Sequence, residues 1–277
     1  MACTQLPLAW IALPAHRCLG CTPTGERPER SYKFAMRFTN QIARHPQRAP
    51  TGAAMPATVR IDMVSDTTCP WCAIALFNLL HALRSLEGEI QAKLHLQPLE
   101  LHPSVKAAGE IRAQYLQQHQ RPARAALQPC WADIRLHGLA IQLEMGPQEP
   151  RMLYNTLDAH RLLQWADNQG QDHQLVLAQQ LVHGYFGQGA NIADHQVLAD
   201  AAVAAGLSRE AALAYLAAGD DIQAVREAQS FYRGMGIQTV PTFIFNHRQL
   251  LRGNQAPEAF VRALRYIAAA GAPPSMV

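Results

Sequence analysis

The chain has 277 residues, of which 49% are hydrophobic and 16% are charged, so it has enough apolar material for a core and is not disordered throughout. Its formal net charge is only +3, and the Lys and Arg residues are scattered outside a basic leader. A nucleic-acid-binding protein normally shows a basic stripe on one face, so no nucleic-acid partner is expected.

No continuous apolar run reaches about eighteen residues, so no membrane-spanning helix and no membrane partner are predicted. The apolar stretch at 6–15 follows no Lys or Arg and contains two prolines, which fits a secretory signal poorly. Six cysteines in a chain this long do not form a disulfide framework of the secreted kind. These features predict a cytoplasmic protein in which a cysteine pair at special spacing is catalytic or metal-binding.

Residues 1–55 mix Pro, Arg, Thr and Gly without a helical or strand period, and their last part reads as a linker. A clean strand pattern begins directly after Met55. We therefore expect 1–55 to be a disordered leader or an artefact of start-site choice, with Met55 as the natural first residue.

The segment 56–104 is predicted to form a βαβ unit. Apolar and polar residues alternate in ATVRIDMVSD, which is typical of a strand, and IQAKLHLQPL at 90–99 predicts a second strand. Between them, 73–86 carries Ile74, Phe77 and Leu80 on one face and stops at Gly88, which predicts an amphipathic helix.

From 105 to 230 the apolar spacing is helical throughout, including RMLYNTLDAHRLLQWADNQG at 151–170. Asp194, Ser208 and Asp220 are predicted N-caps of three helices. VPTFIFNHRQLLRG at 240–253 predicts a hairpin that turns at Asn246 and His247, and 256–270 predicts a closing helix. We thus expect an inserted α-helical domain at 105–230 between two halves of one sheet, with the second half at 231–277.

Two cysteines, Cys69 and Cys72, lie at the predicted start of the first helix. Because proline favours the first helical position, Pro70 makes Cys69 the N-cap. A thiolate there faces free backbone N–H groups and the positive end of the helix dipole, which predicts that Cys69 is the nucleophile. Cys72 is three residues further on the same face, close enough for a disulfide after modest adjustment, and is the predicted resolving thiol.

Two alternatives stand beside this interpretation. Both cysteines could be inert core residues. They could also be half of a zinc site, because Cys18 and Cys21 form a second C-x-x-C pair. The spacer between the pairs is far longer than the about 15–20 residues of common zinc ribbons, so no metal is expected. Cys130 is expected to be a packing residue.

The segment GIQTVPTF at 236–243 is the second signal. A proline is tolerated in a sheet at the first position of a strand or on an edge strand, so we expect Pro241 to lie at the border of the sheet. A cis bond there would expose the backbone of Val240 beside the cysteines, where it could pair with an extended peptide. An ordinary trans proline that starts a strand is the alternative.

Taken together, DTTCPWC, LQPLELHP, NTLDAHRLLQWA, GYFGQGANIADHQVLADAAVAAGL, GIQTVPTF and LLRGNQAPEAF resemble the DsbA-like branch of the thioredoxin superfamily, and within it the FrnE-like group. They span 59–266. The resemblance implies an α/β thioredoxin fold with a large helical insertion, Cys69 and Cys72 as the redox pair, Pro241 as a cis proline that faces them, and thiol–disulfide oxidoreductase or isomerase activity. LRGNQ departs from the family's usual GAQ, and Cys130 has no evident partner for a second redox pair.

The same resemblance suggests that the helix carrying Asn155, Thr156, His160 and Arg161 borders the active site. Asn155 and His160 are therefore candidate substrate contacts, together with Trp71 and Val240. The alternative is a polar face whose groups are satisfied within the protein.

The expected reaction passes through a mixed disulfide on Cys69 that Cys72 resolves. Expected partners are cysteine-containing proteins or small thiols, with no bound cofactor and with glutathione as a candidate redox partner. An uncharged Trp71 between the cysteines predicts a weaker oxidant than a protein with His in that place. The alternative function is a glutathione-dependent isomerase or transferase of the 2-hydroxychromene-2-carboxylate isomerase or kappa-class type.

Overall fold

A computed structural model describes residues 56–106, 108–119, 131–170 and 172–270. The predicted leader at 1–55, with Cys18 and Cys21, lies outside this part of the chain, as does Cys130. The described chain begins with strand β1 (Ala57–Ser65), helix α1 (Pro70–Ser85) and strand β2 (Ile90–Pro98). Strands β1 and β2 are parallel along their whole length. The predicted βαβ start is confirmed.

A mainly helical segment follows and separates the two halves of the sheet. Its elements are β3 (Glu110–Ile111), α2 (Arg112–His119), α3 (Trp131–Ala140), β4 (Met152–Leu153), α4 (Leu157–Asn168), α5 (His173–Val182), a π-helical turn (His183–Gly187), α6 (His195–Ala204), α7 (Arg209–Ala218) and α8 (Ile222–Gly234). Helices α4, α5 and α8 pack against β2. The insertion therefore rests on the first half of the sheet.

The chain then returns to the sheet with β5 (Thr242–Phe245), β6 (Gln249–Arg252) and α9 (Pro257–Ala269). The four-stranded sheet has the order β2-β1-β5-β6, with β5 antiparallel to both of its neighbours. This confirms the predicted α/β thioredoxin fold with a helical insertion between a βαβ half and a ββα half. The hairpin turns at Asn246 and His247 as predicted, and both residues have positive φ.

Two parts of the core, one large and one small, lie on opposite faces of the sheet, and a third small cluster of Val105, Tyr115 and Leu153 lies in the insertion. Val59, Ile61 and Met63 of β1 pack with α1 and α9 in the large part. Val64 of β1 lies in the small part with Leu99, Tyr232, Ile237 and Ile244. Because side chains alternate between the two faces of a strand, β1 is buried on both.

Helix α1 is not the one-faced amphipathic helix that we predicted. Leu76, Leu79 and Ala82 are buried as well as Ile74 and Leu80, whereas Phe77 is only partly buried. The reason is tertiary: α1 contacts α9 and also α3 of the insertion, so it is covered on more than one side.

Three predicted helix starts in the insertion have different outcomes. Asp194 and Ser208 are N-caps whose side chains accept backbone N–H groups, as predicted. The prediction for Asp220 is wrong, since Asp221 occupies the N-cap of α8 in a left-handed conformation. The helix predicted over 151–170 starts only at Leu157, because Met152 and Leu153 pair as a strand with Glu110 and Ile111.

The predicted boundary at 230 between the inserted domain and the second half of the sheet falls inside α8. The domain boundaries at 55, 104 and 230 remain predictions. Within the described ranges, no helix combines the length and the apolar character that a bilayer crossing requires.

Candidate active site

Cys69 lies four residues after the end of β1 and is the N-cap of α1. Its backbone is extended, with φ −89° and ψ 112°, and Pro70 is the first helical residue, as predicted. The Cys69 Sγ atom accepts the backbone N–H of Cys72 at 3.4 Å, and the Cys69 N–H donates to the Asp66 carbonyl at 3.1 Å. The Cys72 N–H also donates to the Cys69 carbonyl at 3.0 Å, so the sulfur shares this N–H at the start of the helix, where the helix dipole stabilises negative charge.

Cys72 is the more deeply buried of the two, at 4% exposure against 6% for Cys69, and both are free thiols. Burial raises the pKa of the Cys72 thiol well above its ordinary value, and its hydrogen bond with Cys69 and the charges of Cys69 and Asp66 raise that pKa further. The backbone of Asp66 acts in the opposite direction. Burial thus favours the neutral thiol of Cys72.

Pro241 lies at the same end of the sheet as the cysteines. The Val240–Pro241 peptide bond is cis, and the Pro241 carbonyl accepts the Gly253 N–H at 2.8 Å. Thr242, the next residue, is opposite Val64 near the end of β1. Because strand β1 ends at Ser65 and continues into the turn that carries Cys69, the register brings the 240–241 backbone to this turn.

Asp66 and Glu100 were not singled out from the sequence. Asp66 is 2% exposed, and its carboxylate accepts the Thr68 N–H and hydroxyl at 3.0 Å and the Leu101 N–H at 2.6 Å. Glu100 is 7% exposed and accepts a hydrogen bond from the Gln229 side chain at 2.9 Å. Their position was the available signal: each is an acidic residue that follows the end of one of two parallel strands.

His160 of α4 is 3% exposed, and its Nε2 atom is buried without a hydrogen-bond partner. Burial lowers the pKa of His160, while the charges of Asp66 and Glu100 act to raise it. The ring is therefore neutral near pH 7 but lies in the field of two carboxylates. The structure thus places this sequence-predicted residue among the buried residues of α4.

The other predicted contact residues are engaged within the protein. Trp71 is partly buried, with its ring 5.2 Å from that of His137 in an edge-on arrangement. The Asn155 side chain donates to the Val105 carbonyl and accepts the Leu157 N–H, and Thr156 is the buried N-cap of α4. The Asn155 amide is therefore satisfied at the start of α4.

Among the residues that the structure describes, no three His, Cys, Asp or Glu side chains are arranged to hold a metal ion. Cys18 and Cys21, on which the zinc alternative depends, are not among them.

A thioredoxin-type sheet with a Cys-Pro-Trp-Cys turn at a helix N-terminus and a cis proline at the same end defines the class of this protein. The chain belongs to the DSBA-like thioredoxin domain family, which matches residues 60–265. No curated protein matches the chain at significant similarity.

Several solved structures share the fold. A probable DsbA oxidoreductase from Streptomyces coelicolor is 23% identical with a TM-score of 0.68, and the match covers 79% of this chain and 94% of that one. A putative protein disulfide isomerase from Nitrosomonas europaea is 12% identical with a TM-score of 0.57, over 77% and 98% of the two chains. The cytosolic disulfide reductase DsbM from Pseudomonas aeruginosa is 15% identical with a TM-score of 0.53, over 76% and 100%.

Proposed function

We propose that the protein is a thiol–disulfide oxidoreductase that works through Cys69 and Cys72. The observation that carries this proposal is the unequal environment of the two sulfur atoms. The Cys69 sulfur accepts an N–H at the helix start, whereas Cys72 is held as a buried thiol three residues further on. A nucleophile and a resolving thiol need this asymmetry, and two inert core cysteines do not.

The proposed reaction has two steps. The Cys69 thiolate attacks a substrate disulfide, forms a mixed disulfide and releases the first substrate thiolate. Cys72 then loses its proton and attacks the Cys69 sulfur, so that the Cys69–Cys72 bond forms and the second substrate thiolate leaves. The same steps run backwards when a substrate thiolate attacks the Cys69–Cys72 disulfide. The electrons move between sulfur atoms, so the reaction as proposed needs no bound cofactor.

Two single variants test the roles of the cysteines. When the reduced Cys72→Ser protein meets a peptide disulfide, we expect it to accumulate the mixed disulfide on Cys69, because nothing resolves it. We expect Cys69→Ser to form little adduct under the same conditions. Mass spectrometry after acid quenching measures both adducts.

Two outcomes of these measurements would contradict the proposal. An adduct that builds up on Cys72 in the Cys69→Ser protein would reverse the roles of the two residues. A wild-type protein that exchanges disulfides no faster than free cysteine would remove the function.

Several finer assignments extend this proposal. We propose that the protein belongs to the FrnE-like group, as its quoted motifs indicate, and that it acts in the cytoplasm on cysteine-containing proteins or small thiols, with glutathione as a redox partner. The structurally similar DsbM of Pseudomonas aeruginosa is a cytosolic disulfide reductase, which supports the compartment.

The alternative of a glutathione-dependent isomerase has one observation in its favour, since a 2-hydroxychromene-2-carboxylate isomerase shares the fold with a TM-score of 0.54 at 14% identity. The Cys72→Ser variant distinguishes the two functions, because only the disulfide exchange needs a resolving thiol. Isomerase turnover that survives Cys72→Ser, together with loss of disulfide reduction, would favour the isomerase.

A further inference from the structure

A buried asparagine of helix α1 binds the loop at 253–255, which connects β6 to α9. Asn78 is 5% exposed and lies six residues after Cys72 on the same helix. Its Nδ2 group donates to the Asn254 side-chain oxygen and to the Gln255 backbone carbonyl, each at 2.9 Å. At about 1.5 Å per helical residue, Asn78 is only about 9 Å from Cys72 along the helix axis. The loop is therefore tied to the helix that begins at the two cysteines.

The same loop holds the backbone that precedes β5. The Gly253 N–H donates to the Pro241 carbonyl at 2.8 Å. The Gln255 side chain donates to the Arg252 carbonyl at 3.0 Å and so closes the loop on itself. Val240, the residue before Pro241, packs against both the large and the small part of the core. The loop therefore forms a hydrogen-bonded bridge between this backbone and α1.

The orientation of the Asn78 amide leaves one of its atoms unpaired. A backbone carbonyl can only accept a hydrogen bond, so the Nδ2 end of the amide must face Gln255. The Oδ1 atom is then buried and has no hydrogen-bond partner among the described residues. An unpaired buried acceptor is unfavourable, and a leucine of similar size would avoid it. The position that Asn78 gives to the loop therefore explains this side chain better than packing does.

We infer that Asn78 is a positioning residue for the proposed disulfide exchange. Through the loop at 253–255, it holds the Val240 backbone in place relative to the helix that carries Cys69. An extended peptide that pairs with this backbone then presents its disulfide to the Cys69 sulfur in a reactive geometry. A small disulfide without a peptide backbone does not use the loop. The inference rests on the proposed function and on the predicted contact of Val240 with substrate.

Two disulfides measure this role in the same protein. One is the disulfide-linked dimer of an uncharged peptide that has a single cysteine, and the other is bis(2-hydroxyethyl) disulfide. All variants are made in the Cys72→Ser background, where only the attack by Cys69 occurs, and the adduct is measured by acid quenching and mass spectrometry. The readout is the ratio of the peptide rate constant to the small-disulfide rate constant, because a change in the fold or in the reactivity of Cys69 affects both rates alike.

Three variants have different expected ratios. Asn78→Leu removes both bonds to the loop and should lower the ratio at least about tenfold, in line with the usual worth of two hydrogen bonds. Asn254→Ala removes one of the two bonds and should lower the ratio about threefold. Asn254→Asp keeps an oxygen that accepts the Asn78 N–H, so its ratio should stay within about twofold of the parent protein.

A matched control is a second buried amide on a helix. Gln174 of α5 is also 5% exposed, and it accepts the Leu96 N–H at 2.8 Å and donates to the Leu96 carbonyl at 3.1 Å. Gln174→Leu therefore removes two hydrogen bonds between α5 and β2. We expect it to lower the free energy of unfolding and to leave the ratio unchanged. Urea unfolding shows which variants are folded in the assay, and if Asn78→Leu is not, Asn254→Ala and Asn254→Asp carry the test.

The inference and the proposed function fail in different ways. An Asn78→Leu protein that keeps the parent ratio, whether its two rates are both unchanged or both reduced, would overturn the inference and leave the proposed function in place. A protein with both cysteines intact that reacts with neither disulfide faster than free cysteine does would remove the proposed function, and the inference with it.

Discussion

Arg161 shows how a residue predicted to lie near the site can have a structural role. It is the largest of the fully buried side chains, at 1% exposure. Its guanidinium lies 5.3 Å from the ring centre of Tyr215 and donates to four acceptors from three parts of the insertion, namely the Asp158 carboxylate and the carbonyls of Tyr215, Leu216 and Asp220. It therefore joins α4 to α7 and to the turn before α8.

Replacement of Arg161 by Ala should lower the free energy of unfolding by about 3–5 kcal/mol, because the partly exposed Asp158 keeps only His195 as an ion-pair partner among the described residues and three carbonyls lose a donor. Lys should rescue little, since it lacks the planar fork of donors. Urea unfolding measures the loss. The control is Arg209→Ala, which breaks an exposed ion pair with Asp200 and should cost no more than about 1 kcal/mol. Equal costs at the two positions would contradict the structural role.

At the scale of elements, the hairpin between β5 and β6 shows which local preferences the fold satisfies. Asn246 and His247 have φ values of 47° and 59°, the left-handed region that the two central residues of a type I′ turn require, and the Arg248 N–H closes this turn by donating to the Phe245 carbonyl at 2.9 Å. Asn246 suits this region, and its side chain also accepts the Arg60 N–H at 2.9 Å. His247 has no comparable reason to adopt it, and its side chain is 70% exposed.

Replacement of His247 by Gly should stabilise the protein by about 1 kcal/mol, because glycine adopts positive φ without a steric penalty. Asn246→Ala should act in the opposite direction, since it loses the bond to Arg60 and places a methyl group at positive φ. Thermal or urea unfolding of the two variants measures the difference. A destabilised His247→Gly protein would mean that its contact with Asp62, at 3.7 Å, matters more than the backbone.

At the scale of the whole molecule, the sheet and the insertion together bury several titratable groups. Burial lowers the pKa of three histidines from different segments, and these are His102, His160 and His183. Each stays neutral in the folded protein at pH values where it is already protonated in the unfolded chain. The unfolded chain therefore binds more protons below the ordinary histidine value of 6.5.

The free energy of unfolding should thus fall as the pH drops from 6.5 toward 5. Each of the three histidines contributes up to about 1.4 kcal/mol per pH unit until its own folded-state pKa is reached. Urea unfolding across this range measures the slope, and His160→Gln or His183→Gln should make it shallower. A flat curve between pH 6.5 and 5 would contradict the burial of these rings as neutral groups.

The sequence was informative wherever the structure depends on local rules. Pro70 at the first helical position put Cys69 at the N-cap, and Asp194 and Ser208 were found because capping depends on neighbours within three residues. The prediction failed at Met152, because its strand needs a partner some forty residues earlier in the chain. It also failed for the faces of α1, which are covered by elements that no local pattern reveals.

The amino-acid sequence by itself determined the βαβ and ββα order of the main sheet, the hairpin and the N-cap position of Cys69, since alternation, helical spacing and capping act over a few residues. Only the tertiary structure decided that Asp66, Glu100 and His160 are buried, because burial depends on elements that are distant in the chain, such as the insertion that packs on β2. Burial, which changes the protonation of Cys72 and His160, is likewise a property of the assembled fold and not of any segment.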